Sequence, residues 1–163
     1  MGLIIKDKIP MFMKGYPTVS DKYNVAGGTL DQASAPVEFG DLLVYGATKG
    51  YFAKPTTITN VSEIAGFILA TNVKLTTEWP GETVKTLPGE AFNLLINGFM
   101  AIALDESAVE ANVKPNAAVY ATPAGKCTTE AGASNANFKL PNVVFTGMVE
   151  AHGDVLFAEI YVK

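Results

Sequence analysis

The sequence contains no arginine, and this absence weighs against one large class of partners. All 12 of its basic residues are lysine and 16 residues are acidic, so the 163-residue chain has a formal net charge of −4. Arginine makes the two-pronged contacts with phosphates and base edges, and nucleic-acid binding needs a basic surface. We therefore predict that the protein does not bind nucleic acid.

Residues that carry catalysis or bind metals are scarce as well. The chain has one cysteine, Cys127, and one histidine, His152. A single cysteine cannot form an intrachain disulfide, and one histidine without cysteine partners makes a poor zinc site. Glycine-rich phosphate loops, Gly-x-Ser-x-Gly turns and calcium loops are absent from the sequence. We predict no catalytic residue, no metal and no cofactor, and we interpret Cys127 as half-buried and His152 as a turn residue.

Long apolar runs and charged side chains are also in short supply. No run approaches the ~20 apolar residues that cross a membrane, and the N-terminus lacks the pattern of a signal peptide. Charged residues make up 17% of the chain, below the usual ~25%. A polar but sparsely charged surface suits a protein that is packed against others, and it equally suits a soluble domain without partners.

The sequence does contain one motif that occurs twice. Residues 40–46 and residues 116–121 both consist of a turn residue followed by a short apolar strand with the pair Val-Tyr. Each copy is followed by another turn and then by a second apolar strand with a glycine, Gly66 in the first copy and Gly147 in the second. The two copies are spaced differently, so we interpret them as a weak repeat within an all-β body.

Short strands separated by Gly and Pro turns fill most of the chain after residue 30. We predict strands at residues 42–45, 51–53, 63–72, 83–85, 93–96, 99–104, 118–121, 143–151 and 155–162. Asn97-Gly98 and residues 152–154 predict two hairpins, residues 105–111 a short helix, and residues 122–141 a long exposed loop. Many short strands with regular turns predict an all-β fold, a β-sandwich or a β-barrel.

The first 30 residues differ from the rest, because their large apolar side chains follow no regular period and Pro10 and Pro17 interrupt any helix. We predict an extended N-terminal arm at residues 1–30 and a body at residues 31–163. The arm lies either on its own body or on a neighbouring subunit. Our candidate contact residues are Ile9, Met11, Phe12, Met13, Tyr16, Tyr23 and, in a turn of the body, Trp79.

Five stretches in a fixed order carry a family resemblance. They are residues 37–45, 63–70, 96–102, 113–120 and 145–151. Together, over about residues 31–163, they resemble the small capsid decoration, or cement, proteins of tailed bacteriophages. One departure is Asn116-Ala117, which stands where the family pattern usually has Gly-Asp.

This resemblance implies an all-β structural protein of the virion, made in the host cytoplasm, without catalysis or cofactor. It implies self-association, as a dimer or a trimer, and binding to the outer surface of the major capsid protein. The expected function is to stabilise contacts between capsid subunits. The alternative is a carbohydrate-binding β-sandwich module of a phage fibre or adhesin, in which Trp79 and the tyrosines would stack on a sugar instead of Trp79 covering one end of a barrel.

Overall fold

The computed structural model describes residues 14–18, 23–70 and 85–163. Strands dominate this part of the chain, and the only helical elements within it are 3₁₀ turns at Val61–Glu63, Glu110–Asn112 and Ala133–Asn135. The prediction of an all-β fold is therefore confirmed. The strands are β1 (Tyr23–Leu30), β2 (Val37–Glu38), β3 (Leu42–Tyr45), β4 (Tyr51–Ala53), β5 (Ile64–Leu69), β6 (Lys85–Thr86), β7 (Ala91–Ala103), β8 (Ala118–Ala121), β9 (Cys127–Thr128), β10 (Phe138–His152) and β11 (Val155–Val162).

Five strands close a first ring of paired neighbours. The order is β1-β4-β3-β5-β7, and β7 pairs back onto β1. The pairing of β1 with β4 is parallel, and the other four pairings are antiparallel. This ring encloses a core of buried apolar side chains: Leu30, Val37, Phe39, Leu43, Ile68, Phe92 and Leu94.

A second ring continues from β7. Its order is β7-β11-β10-β8-β9, with antiparallel pairing throughout. A parallel bridge between Leu104 and Cys127 then brings β9 back to the end of β7. The body is thus barrel-like and consists of two five-stranded rings that share one strand.

The first strand of each ring, β1 in the first ring and β7 in the second, ends with an equivalent pair of contacts. In the first ring the N–H of Leu30 donates to the carbonyl of Glu90 at 2.9 Å, and Leu30 also forms the parallel pair with β4. In the second ring the N–H of Leu104 donates to the carbonyl of Leu156 at 2.8 Å, and Leu104 forms the parallel bridge with β9. Leu30 and Leu104 therefore occupy the same position in the two rings.

The motif that occurs twice in the sequence begins β3 in the first ring and β8 in the second ring, which are the second strands of their rings in chain order. The N–H of Gly40 donates to the carbonyl of Ile68, and the N–H of Asn116 donates to the carbonyl of Phe145, both at 2.8 Å. Both turn residues have a positive φ, 80° for Gly40 and 64° for Asn116. Asparagine is one of the few other residues that tolerate this conformation, which explains the departure from Gly-Asp.

The later glycines of the two copies are not equivalent. Gly66 lies two residues before Ile68, whereas Gly147 lies two residues after Phe145. Since Ile68 and Phe145 make the same hydrogen bond in their rings, the two glycines are four positions apart in the structural alignment. The structure therefore confirms the strand that begins each copy and corrects the matching of the glycines.

Strands β3, β5 and β7 form a shared wall between two cores. Leu43 and Ile68 point into the first ring, whereas their neighbours Leu42 and Phe67 belong to the larger core that fills the second ring. A strand that is buried on both faces needs apolar residues at consecutive positions. This explains why the sequence of these strands shows continuous apolar runs instead of alternation.

The hairpin predicted at Asn97-Gly98 is wrong. Both residues lie inside β7, which runs without interruption from Ala91 to Ala103. Gly98 pairs with Tyr23 of β1 and with Val162 of β11, and its φ is 133°. The glycine therefore marks the point where β7 changes its neighbours between the rings, which is a different use of the same backbone freedom.

Two further local predictions are corrected, and one is confirmed. Residues 105–111 form no α-helix and contain only the start of the 3₁₀ turn Glu110–Asn112. The loop expected at residues 122–141 instead contains β9, whose two residues are buried, and the start of β10. The hairpin at residues 152–154 is present, because His152 of β10 pairs with Val155 of β11.

The last residues of the predicted arm form a strand of the first ring. Residues 23–30 are β1, which pairs with β7 along most of its length. The sequence pattern was uninformative because residues 23–27 are exposed on the ring surface and need no regular apolar period. The division of the chain into arm and body otherwise remains a prediction.

Candidate interaction surfaces

Residues 14–18, which we call the anchor segment, connect β5 and β7. The N–H of Gly15 donates to the carbonyl of Ala101 at 2.8 Å, and the N–H of Ala101 donates back to Tyr16 at 3.2 Å. The N–H of Ala70, just after β5, donates to the carbonyl of Gly15 at 2.8 Å. This part of the predicted arm is therefore built into the body by backbone hydrogen bonds.

Two glycines make the contact between the anchor segment and the first ring. A Cβ placed on Gly15 would lie 2.4 Å from both the backbone nitrogen of Gly40 and the Cβ of Phe39. A Cβ placed on Gly40 would lie 2.8 Å from the nitrogen of Gly15. Both glycines also have a positive φ. Only residues without a side chain allow the two backbones to come this close.

An ion cluster fixes the start of the anchor segment. The Nζ of Lys14 lies 2.6 Å from Asp41 Oδ1 and 3.1 Å from Glu38 Oε2, and Lys54 Nζ lies 3.7 Å from Asp41 Oδ2. Burial lowers the pKa of Lys14, but the nearby carboxylates of Asp41 and Glu38 more than offset this effect and leave the pKa raised. Lys14 is therefore held as a cation against the first ring.

A cavity of about 330 Å³ lies between this ion cluster and the second ring, and Cys127 is part of its lining. Its opposite side carries Asp105 and Lys126, whose Oδ2 and Nζ atoms are 3.6 Å apart. Burial raises the pKa of Asp105, but hydrogen bonds from Ser107 and the charge of Lys126 outweigh this effect and leave the pKa lowered. Since the charged side chains that line the cavity are paired with one another, it offers no excess charge to attract a phosphate or a metal ion.

Two of the predicted contact residues lie in the described part of the chain. Tyr16, in the anchor segment, is half-buried and its ring meets the ring of Phe39 edge-on at 6.5 Å between centroids. Burial raises the pKa of Tyr16. Tyr23 stands at the start of β1 with 39% of its surface exposed. The structure thus places Tyr16 partly against the body and Tyr23 on the surface.

The other predicted contact residues lie outside the residues that the structure describes. These are Ile9, Met11, Phe12, Met13 and Trp79. The carbohydrate-binding alternative relied on Trp79 together with the tyrosines. Trp79 lies outside the described residues, whereas Tyr23, Tyr45 and Tyr51 are exposed.

Several exposed apolar side chains were missed by the sequence analysis. They are Val25 on β1, Tyr45 at the end of β3, Tyr51 at the start of β4 and Ile96 within β7. The available signal for Val25 was its spacing of two from Tyr23, which places both side chains on one face of a strand. These residues give the surface of the first ring an apolar character.

Cys127 and His152 show local structural contacts. Cys127 is buried, with 4% of its surface exposed, and burial raises the pKa of its thiol to about 12, so the sulfur stays protonated. The burial is deeper than the half-buried position expected from the sequence. His152 Nε2 lies 3.1 Å from Glu150 Oε2, and the imidazole packs on the ring of Phe157 at 5.1 Å. Both contacts belong to the hairpin of β10 and β11.

Neither a metal-binding cluster nor a membrane-crossing helix is found within residues 14–18, 23–70 and 85–163. No group of three or more His, Cys, Asp or Glu side chains there could hold a metal ion. No helix there is long and apolar enough to span a bilayer.

Comparison with known proteins gives one family match. The family model described as Structural cement protein (E217 gp24/Pam3 gp6) matches residues 6–159. This range includes the anchor segment and nearly all of both rings. No curated protein matches the sequence.

A solved structure has the same fold. A chain in the capsid of Myoviridae phage XM1 is 17% identical and aligns with a TM-score of 0.66, over 97% of this chain and 95% of that chain. At this identity the similarity establishes the fold alone.

Proposed function

The chain belongs to the family of structural cement proteins of bacteriophages, and we propose that it binds the outer surface of a phage capsid and stabilises contacts between major capsid protein subunits. It is a structural protein of the virion. The match of the family model to residues 6–159 carries the proposal, because it covers the anchor segment as well as the rings. We also propose that the protein self-associates and that it catalyses no reaction.

The proposed mechanism is linkage between binding and assembly. A protein that binds neighbouring capsid subunits only when they are assembled stabilises the assembly by mass action. Self-association adds to the effect, because linked copies bind with a high effective concentration. Neither step requires a reactive side chain, which agrees with the buried thiol of Cys127 and the paired charges around the cavity.

We propose that the residues just before Lys14 take part in the capsid contact. Ile9, Met11, Phe12 and Met13 are large apolar residues that immediately precede a lysine held by two carboxylates. Force on these residues would pass through Lys14 and Gly15 into the first ring. Trp79 and Tyr23 are further proposed contacts, and because apolar contacts are little screened by salt, binding should be only mildly salt-sensitive.

The experiment compares the full chain with a chain that starts at Lys14, which keeps the whole anchor segment. Both are mixed with capsids lacking the cement protein, and bound protein is measured by sedimentation of the particles. We expect the shortened chain to fold and to bind at least tenfold more weakly. Phe12→Ser should weaken binding in the same direction, whereas Val109→Ser, at an exposed site of the connection between β7 and β8, should not.

Undiminished binding by the chain that starts at Lys14 would remove the N-terminal residues from the contact surface. Failure of the full chain to bind capsids at any salt concentration would overturn the proposed function itself.

A further inference from the structure

Strand β1 has an open edge over residues 23–27. The N–H of Leu30 points to β7, so along the strand the backbone groups of Tyr23, Val25 and Gly27 point the other way. Only Thr29 and Leu30 pair with β4 on that side. Within the part of the chain that the structure describes, no strand pairs with residues 23–27 along this edge, and all five are exposed.

The equivalent edge in the second ring is occupied. Ala101 lies three residues before Leu104, as Gly27 lies three residues before Leu30. Ala101 uses its N–H and its carbonyl to bind the anchor segment, which runs antiparallel to β7. The same backbone position is thus filled in one ring and, among the described residues, unfilled in the other, and the filled copy shows that the edge accepts an antiparallel strand.

Nothing in the sequence of this edge protects it against pairing. Residues 23–28 read Tyr-Asn-Val-Ala-Gly-Gly, without a charged residue or a proline. Proteins usually guard exposed edges with lysine, proline, bulges or a covering loop, because an open edge recruits other strands. Among the described residues this edge has no lysine, proline or covering loop, and its one irregularity is the register shift between Asn24 and Val25, where Ile96 of β7 is the extra residue. Together with the exposed apolar side chains of Tyr23, Val25 and Ile96, this edge favours pairing with a partner strand.

We propose that the partner is a second copy of this chain, and that two β1 strands pair antiparallel about a two-fold axis at Val25. This register places Val25 opposite Val25 of the second copy and Tyr23 opposite Gly27 of the second copy. Gly27 has no atom within 4 Å of a Cβ position, so the opposite tyrosine has room. No like charges meet, and the three residue pairs exchange about six backbone hydrogen bonds.

This interface is one specific form of the self-association included in the proposed function. Only its biological role, and not its existence, rests on that function. Its existence can be measured on the free protein. The other possible occupants of the edge are an extended segment of the capsid protein and a segment of this chain outside the described residues, and either would leave the free protein monomeric.

The test uses the full chain and the symmetry of the pairing. Val25→Lys and Val25→Glu each place like charges opposite each other across the axis, whereas a mixture of the two variants places a lysine opposite a glutamate. We expect the parent to be a dimer by sedimentation equilibrium, each variant to dissociate at least tenfold more readily, and the mixture to recover dimers. Val109→Lys, at a similarly exposed valine in the connection between β7 and β8, is the matched control and should remain dimeric.

A cross-link provides a second, milder measurement. Val25→Cys should form a disulfide between two copies when diamide is added as the oxidant, and the native Cys127 should not, because it is buried. A monomeric parent, dimers that survive either charged variant, or a mixture that stays monomeric would each overturn the proposal. Loss of dimers with normal capsid occupancy would support the interface and separate it from capsid binding.

Discussion

The two rings have the same pairing pattern but differ in what surrounds their first strand. In the second ring the outer edge of β7 is covered by the anchor segment through Ala101. In the first ring the corresponding edge of β1 is exposed and has no pairing strand among residues 14–18, 23–70 and 85–163. The residue that begins the following turn-and-strand motif differs as well: it is Gly40 in the first ring, where it contacts Gly15, and Asn116 in the second ring.

This difference separates the roles of backbone and side chains in the fold. Equivalent hydrogen bonds at Leu30 and Leu104 build both rings, although few side chains around them agree. The ion cluster at Asp41 has no counterpart in the second ring, where the equivalent residue is Ala117. Pairing thus defines the ring, and the residues outside it decide which surfaces are covered.

The largest expected effect comes from detaching the anchor segment from the edge of β7. Gly15→Ala places a methyl group 2.4 Å from backbone and side-chain atoms that cannot move away easily, at a positive φ. We expect a loss of about 2–5 kcal/mol in the free energy of unfolding, from backbone strain and overpacking together. Urea denaturation measures the loss, and hydrogen exchange at Ala101 shows whether the anchor segment has detached.

Gly50→Ala is the control for this substitution. Gly50 also has a positive φ, 85°, but a Cβ there would meet no atom within 4 Å. Only the backbone strain of about 1–2 kcal/mol should remain. Equal losses for the two variants would mean that the close contact between Gly15 and Gly40 does not exist.

A smaller effect should follow from exchanging the turn residues between the rings. Asn116→Gly should change stability by less than about 1 kcal/mol, because glycine adopts the same φ. Gly40→Asn should cost about 1–3 kcal/mol, because its Cβ would lie 2.8 Å from the nitrogen of Gly15. Thermal unfolding of both variants measures this asymmetry, and equal changes would contradict the structural difference between the two turns.

The smallest effects should appear as opposite pH dependences of the two rings. The raised pKa of Lys14 gives stability that is present below pH 10.5 and is lost as pH rises through the folded-state pKa above that value. The lowered pKa of Asp105 gives stability that is present above pH 3.8 and is lost as pH falls through the folded-state pKa below it. Lys14→Met should flatten the alkaline loss, and Asp105→Asn the acid loss.

Tyr16→Phe is the control for the alkaline arm. Burial raises the pKa of Tyr16, so this residue also loses its stabilising effect as pH rises through the alkaline range. Stability from urea denaturation between pH 3 and pH 11 separates the contributions. If Tyr16→Phe abolishes the alkaline loss of stability and Lys14→Met leaves it intact, then Tyr16 causes the loss and the assignment to Lys14 is wrong.

Sequence patterns predicted the strands whose surroundings are local. The limits of β3, β4, β8 and β11 agree with the structure, and the hairpin before β11 follows from its tight turn. The all-β class and the family resemblance follow from the same short apolar strands and turns.

The remaining features depend on contacts between distant residues. Asn97-Gly98 has the composition of a hairpin turn, but pairing with both Tyr23 and Val162 keeps β7 continuous. The polar loop around Cys127 contains a buried strand because Leu104 pairs with it. A second signal was present and was missed: Leu30-Asp31 and Leu104-Asp105 begin the same turn, with Asp Oδ1 accepting from the N–H two residues later.

The candidate surface was the least predictable part. The large apolar side chains before residue 24 could be predicted as contact residues because of their size. The edge of β1 consists of backbone groups, which amino-acid composition does not reveal. Val25 and Gly27 become notable only once the filled edge at Ala101 is known.

The shared strand β7 also sets the order in which the two rings can be completed during synthesis. All strands of the first ring have been synthesised when residue 103 is reached, whereas the second ring needs β7 together with everything up to β11. Until then the outward side chains of the shared wall, Leu42 and Phe67 among them, have no core to enter. A nascent or truncated chain that ends between the rings should therefore be prone to aggregation, and completion of the second ring is the step that makes the first ring soluble.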